Sequence, residues 1–143
     1  MKYSPRVRQL RKKFGYTQEY VANYLKCKRS AYSNWESWNI IIPLDMAEKL
    51  AMLYNVPMSY VLGYNDDNNK VILKPIDYEH IKNKLIEMKL KYNHSYHQIG
   101  KYIDTNKSTV QRYFTGKVKI PTDKLMSLCR LYEIEIDELC GTK

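Results

Sequence analysis

Long apolar runs are missing from this chain. The longest, Ile40-Ile41-Ile42, is far too short to span a bilayer, which takes about 20 apolar residues. Cysteine is scarce as well. Cys27, Cys129 and Cys140 form no CxxC pair, and an odd number excludes complete intrachain pairing, so the simplest setting is a reduced cytoplasmic one. The five glycines build no Gly-rich phosphate loop or nucleotide signature, and no catalytic constellation is found, so an enzyme is not expected. No signal peptide is read at the start, where Met1-Lys2-Tyr3-Ser4-Pro5 runs straight into a charged amphipathic segment. Period-two alternation is not sustained anywhere, which leaves an all-α chain.

What is present is positive charge and tyrosine. The formal net charge is +9, and 14 Tyr dominate the aromatics over 2 Trp and 2 Phe. Such a field favours polyanions, nucleic acid before an anionic membrane. Residues 1–63 carry 10 Lys and Arg against 4 acids, and residues 78–143 carry 12 against 8. Glu133, Glu135, Asp137 and Glu138 gather near the C-terminus, an end unsuited to lie on phosphates.

The chain also repeats itself. A shift of 78 residues aligns Tyr3–Gly63 on Ile81–Gly141 without a gap. Identities such as Tyr24/Tyr102, Ser30/Ser108, Pro43/Pro121, Leu50/Leu128 and Gly63/Gly141 are sparse. Apolar or small character nevertheless persists at Val7/Leu85, Leu10/Met88, Val21/Ile99, Ala22/Gly100, Leu25/Ile103 and Trp35/Tyr113. The reading is a domain over 1–64, a linker over 65–76 and a second domain over 77–143. The linker is polar and rich in turn formers, with Val71-Ile72-Leu73 as a short strand or an apolar strap.

Each copy reads as five helices. Ser4-Pro5 suits a cap followed by Pro at the first helical position, and Val7, Leu10 and Phe14 recur on one helix face. Gly15 fits a left-handed helix end. Thr17 caps a second helix that buries Val21, Ala22 and Leu25, and a third, from Lys28 or Arg29, buries Tyr32 and Trp35. Arg29, Ser30, Ser33 and Asn34 are left facing outward. A fourth helix carries Met46, Ala47, Leu50 and Leu53, and a short fifth is stopped by Gly63. Asp77 caps the helix that opens the second copy. Between the second and third helices a small residue is required at Ala22 or Gly100, and a permissive backbone at Lys26 or Asp104.

Thr17-Gln18-Glu19-x-Val21-Ala22-x-x-Leu25 followed by Arg29-Ser30-Ala31-Tyr32-Ser33-Asn34-Trp35-Glu36 resembles the Xre/Cro/phage-repressor helix-turn-helix family. Ala51-x-Leu53-Tyr54-Asn55-Val56-Pro57 and Leu62-Gly63 are similar to its last two helices. The second copy resembles it more loosely, through Ser95-x-x-x-Ile99-Gly100-x-x-Ile103 and Lys107-Ser108-Thr109-Val110-Gln111-Arg112-Tyr113. The resemblance implies two tandem five-helix lambda-repressor-like domains and a sequence-specific regulator, a repressor that occludes a promoter.

It also implies that the third helix lies in the major groove of double-stranded DNA. By position, Lys28, Arg29, Ser30, Ser33 and Asn34 would then read bases, while Thr17 and Gln18 would meet a phosphate at a helix N-terminus. The matching positions of the second copy are Ser95, Tyr96, Asn106, Lys107, Ser108, Thr109, Gln111 and Arg112. The family's buried ion pair falls on Arg11 and Glu36, and the second copy departs from it with Lys89 and Phe114, the latter expected in the core.

Several features stay outside this scheme. Trp35 is expected in the core, while Trp38 stands where the family usually has glycine, packing on the loop or lying against sugar or a partner. Met58, Tyr60 and Val61 fall where phage repressors dimerise, although fifth-helix apolar residues are mostly core. His94 and His97 lack a third ligand, so no metal is expected, and no cofactor is implied. The competing reading keeps DNA binding in the first copy and makes the second a dimerisation or protein-partner module, as in an antitoxin or a phage-type immunity regulator.

Overall fold

A computed structural model describes residues 5–69 and 73–142. Among these residues every regular element is a helix, and no helix is long and apolar enough to cross a membrane. It divides into two compact units, residues 1–73 and 74–142. The first holds α1 (Val7–Lys13), α2 (Gln18–Leu25), α3 (Arg29–Glu36), α4 (Leu44–Tyr54) and α5 (Met58–Val61). The second holds α6 (Tyr78–Lys91), α7 (Tyr96–Ile103), α8 (Lys107–Phe114), α9 (Thr122–Leu131) and α10 (Ile136–Cys140). Five helices therefore stand in each repeat, as the internal alignment predicts.

The start of α1 differs from expectation. The Ser4 cap lies outside the described residues, and Pro5 precedes the helix. Arg6 occupies the cap position because its N–H donates to the Val61 carbonyl at 2.8 Å. Its guanidinium donates to the carbonyls of Tyr60 at 2.8 Å and Asn65 at 2.7 Å, pairs with Asp66, and covers the Tyr60 ring. Arg6 thus ties the start of α1 to α5, and Met58 and Val61 are fully buried. These two residues form core, not a free face.

Phe14 is a second difference. The helix period predicts it on the buried face of α1, yet it caps that helix and is 41% exposed. Its ring lies 4.9 Å from that of Tyr54, at the edge of a cluster that also holds Tyr16. Gly15 follows at φ +72°, the left-handed geometry expected there.

The segment 65–76 is ordered at both ends where it is described. Asn65 and Asp66 are held by Arg6. The Lys74 N–H donates to the Thr142 carbonyl and the Asp77 N–H to that of Cys140. Val71 and Ile72, read as a strand or strap, lie outside the described residues.

Both helix-turn-helix angles follow from local chemistry. The Thr17 hydroxyl accepts the Tyr20 N–H at 3.0 Å, and Ser95 with Gln98 makes a reciprocal capping box. Lys26 and Asp104 end α2 and α7 in the left-handed region, at φ 57° and 55°. Asp tolerates this geometry better than Lys, and a second device holds it in the later copy: Lys124 Nζ donates to the carbonyls of Ile103 at 2.7 Å and Asp104 at 3.2 Å. A Cβ at Gly100 would strike the Thr105 carbonyl oxygen, so this turn is tight enough to demand glycine. Leu25, Tyr32, Ile103 and Val110 close the angles from inside, all buried.

Candidate nucleic-acid interface

Beyond each turn, α3 and α8 present their outer faces. Lys28, Arg29 and Ser30 are exposed at the start of α3, and Ser33 and Asn34 are half-buried one turn on. In α8, Lys107, Ser108, Gln111 and Arg112 are exposed and Thr109 is half-buried. No ion pair engages Lys28, Arg29, Lys107 or Arg112 among the described residues. Their charge is therefore available to a partner, with only solvent to displace.

Some of these groups also serve the fold. Asn106 caps α8, its Oδ1 accepting the Thr109 N–H and the Ser108 hydroxyl, each at 2.8 Å. That oxygen is committed to local structure, and the Asn106 amide N–H groups are the donors a ligand would meet. A shallow recess of about 200 Å³ runs along α8, lined by Ser108, Gln111, Arg112, Thr115 and Lys117. Lys117 was not picked out from sequence, although its place just after the helix could have suggested it. A second recess, about 420 Å³, opens between α7 and the start of α8 and is lined in part by His97, Lys101, Asn106 and Lys107.

Behind α3 lies an ionic core. Arg11 Nε donates to Glu36 Oε2 at 2.6 Å, and its Nη2 donates to Oε1 at 3.2 Å. Nη1 donates to the Tyr16 carbonyl at 2.9 Å. Gln18 Nε2 also donates to Glu36 Oε1, at 3.2 Å, so the residue expected at a phosphate is anchored inward by one of its N–H bonds. Burial raises the Glu36 pKa, but hydrogen bonds from Arg11 and Gln18, the nearby Tyr32 and the Arg11 charge outweigh it. The carboxyl consequently titrates below its usual range. The Tyr32 hydroxyl reaches no hydrogen-bond geometry, so its share is that of an oriented dipole. Burial and the adjacent carboxylate push both Tyr32 and Tyr54 well above the ordinary phenol.

The second unit replaces this core position by position. Lys89, Tyr96 and Phe114 stand where Arg11, Gln18 and Glu36 do. Lys89 Nζ lies 4.5 Å from the Tyr96 ring centre, and that ring meets Phe114 edge-on at 5.8 Å. Phe114 is fully buried, as expected. Val110 takes the place of Tyr32, which makes room for the larger Phe. An ion pair and an amide have become a cation over an edge-on aromatic pair.

A pH dependence follows for the first unit. Glu36 has a folded pKa below its unfolded value, so its contribution is present above about pH 4.5 and lost as pH falls through the folded pKa. Both tryptophans, Trp35 and Trp38, belong to this unit, so Trp emission follows its unfolding alone. The stability advantage of the native chain over Glu36→Gln, measured by urea titration, should hold from pH 7 to 5 and shrink below pH 4. A constant advantage down to pH 3 would show that Glu36 titrates normally.

No group of His, Cys, Asp or Glu suited to a metal occurs among the described residues. His94 instead shares a hydrogen bond of 3.2 Å with the Tyr132 hydroxyl. Burial raises the Cys27 thiol, against Lys49, which disfavours a reactive thiolate in the turn.

A family model described as helix-turn-helix matches the chain twice, at residues 7–61 and 85–139. The chain belongs to the Xre-like helix-turn-helix family. The two matched segments cover both repeats and leave the linker out, so this helix-turn-helix protein carries the motif in tandem. It is 40% identical over 65 residues to the uncharacterised HTH-type transcriptional regulator YobD of Bacillus subtilis strain 168. That stretch covers 46% of this chain and 58% of YobD. No solved structure matches.

Proposed function

We propose that this protein is a sequence-specific double-stranded DNA-binding regulator that represses transcription by occluding a promoter. The observation that carries the reading is the unpaired cationic and amide face on α3 and α8, set on a helix-turn-helix frame. In this reading each helix enters a major groove. Arg29 suits guanine O6 and N7, and Asn34 and Gln111 suit adenine N6 and N7. Lys28, Lys107 and Arg112 supply phosphate or base contacts. Thr17 and Ser95 each cap a helix whose free N–H groups favour a phosphate. Gln18 reaches the same phosphate while held by Glu36, and Tyr96 offers a hydroxyl in its place. Because the two reading faces differ, one chain prefers an asymmetric site, its halves about 34 Å apart. A homodimer would present four reading helices to a longer palindrome.

A second reading confines DNA binding to the first unit and gives the second a protein partner. It is favoured by α6, where Ile86 and Leu90 stand exposed at the places of Arg8 and Lys12. Changing Lys107 and Arg112 together to Ala separates the two. If both units bind DNA, affinity for a selected duplex falls about 10- to 100-fold and the slope against log salt drops by roughly 1 to 2. Unchanged affinity and slope would leave the first unit as the sole reader.

A further inference from the structure

Trp38 follows α3 and is the one bulky side chain whose backbone takes the left-handed region among the described residues, at φ +66°. The other non-glycine residues with positive φ are Lys26, Asn55, Asn93, Asp104 and Glu133, polar residues that end helices or follow them. A bulky side chain in this geometry is strained, and strain of this kind gathers at functional sites. The second unit has Gly116 at the same place, at φ +77°, so the fold itself asks only for glycine. Nor does the Trp38 side chain serve mainly as core: it is 54% exposed, and Ile40 close by is 53% exposed.

Its position points to a ligand already in the argument. The backbone carbonyl of Asn34, a residue of the reading face in the last turns of α3, accepts the Asn39 and Ile40 N–H groups at 3.1 and 3.3 Å and the Ser37 hydroxyl at 3.3 Å. The loop that carries Trp38 is thereby fastened to that face. In the second unit Lys117, the residue after Gly116, lines the same recess as Ser108, Gln111 and Arg112. The start of this loop is thus continuous with the reading surface.

We infer that Trp38 is a further DNA-contacting residue, laying its indole against a backbone deoxyribose beside the segment read by α3. The inference rests on the proposed DNA-binding function. Lys117 would answer the same backbone in the second unit through a phosphate, so one loop position uses apolar contact in one copy and charge in the other. The net positive charge of residues 1–63 makes DNA a better occupant than a second, equally charged copy of the same unit.

The test uses the intact protein and a duplex that the protein itself selects from a random pool. Affinity is measured at several salt concentrations for the native chain, Trp38→Gly, Trp38→Phe and Arg29→Ala. Trp38→Gly should weaken binding about tenfold, the loss for uncovering ~60 Å² of apolar contact. Its salt slope should stay unchanged because no phosphate contact is removed, and Trp38→Phe should recover most of the affinity. In the native chain, DNA should also shield the exposed tryptophan from acrylamide, a readout independent of any substitution. Native affinity for Trp38→Gly beside a weakened Arg29→Ala would overturn the inference and leave the DNA-binding reading standing. Native affinity for both would overturn that reading too. No shielding by DNA, or a dimer in sedimentation that Trp38→Gly dissolves, would assign the indole elsewhere and overturn the sugar contact.

Discussion

Replacing Glu36 by Leu should remove more than half of the first unit's stability. Arg11 would keep one bond to the Tyr16 carbonyl but lose the carboxylate that neutralises it, with only 14% of its side chain exposed to water. Breaking one partner of a buried pair costs about 3–5 kcal/mol. A unit of this size has a total stability of only roughly 3–9 kcal/mol. The loss is thus comparable with everything that holds the unit together. Urea titration followed by Trp emission should show the midpoint falling by more than half, while helix in the second unit persists in the far-ultraviolet signal.

The second unit shows how the same site survives without an ion pair. Exchanging four residues together, Arg11→Lys, Gln18→Tyr, Tyr32→Val and Glu36→Phe, installs the set that Lys89, Tyr96, Val110 and Phe114 form there. Including Tyr32→Val matters because Phe is larger than Glu, and overpacking costs about 1–3 kcal/mol. This chain should recover to within about 2 kcal/mol of the native one, because apolar packing substitutes for a buried pair at little net cost. If the fourfold exchange destabilises the unit as much as Glu36→Leu, the two cores are not interchangeable.

The second large effect concerns binding. Arg29→Ala should lower affinity for a selected duplex about 10- to 100-fold, the loss of one two-pronged guanine contact. Discrimination should relax at one base pair of the site and hold elsewhere. Affinity and base preference separate this role from a bland one, since a residue on a merely solvated face would change neither. The Trp emission midpoint in urea should be unaltered, because Arg29 is exposed and engages no ion pair among the described residues.

Much of the molecule was legible before any coordinates. Helix periodicity, the caps at Thr17 and Asp77 and the left-handed ends at Lys26 and Asp104 are local matters, decided within a few residues. The tandem repeat made each copy a check on the other. Long-range contacts were harder to read. The cap at Arg6 depends on Val61 and Asn65, more than fifty residues away, and nothing near Arg6 announces it. Phe14 obeyed the period of its helix yet stopped at the rim, where its ring meets that of Tyr54. For the site, residue type marked an outward face on α3, and alignment carried it to α8. Of that face on α3, Lys28, Arg29 and Ser30 are exposed and Ser33 and Asn34 half-buried. Neither told that Gln18 turns inward to Glu36 or that Asn106 spends its oxygen on a cap. In sequence Tyr96 stands apart from the joint departure at Lys89 and Phe114, and only packing joins the three into one substitution.

Selection of duplexes from a random DNA pool tests the central claim most directly, performed with the intact chain and with the Lys107→Ala/Arg112→Ala chain. Two unlike readers in one chain predict an enriched site with two dissimilar blocks, one of which loses its sequence preference in the double variant. Failure to enrich any sequence, or a single block indifferent to Lys107 and Arg112, would contradict it.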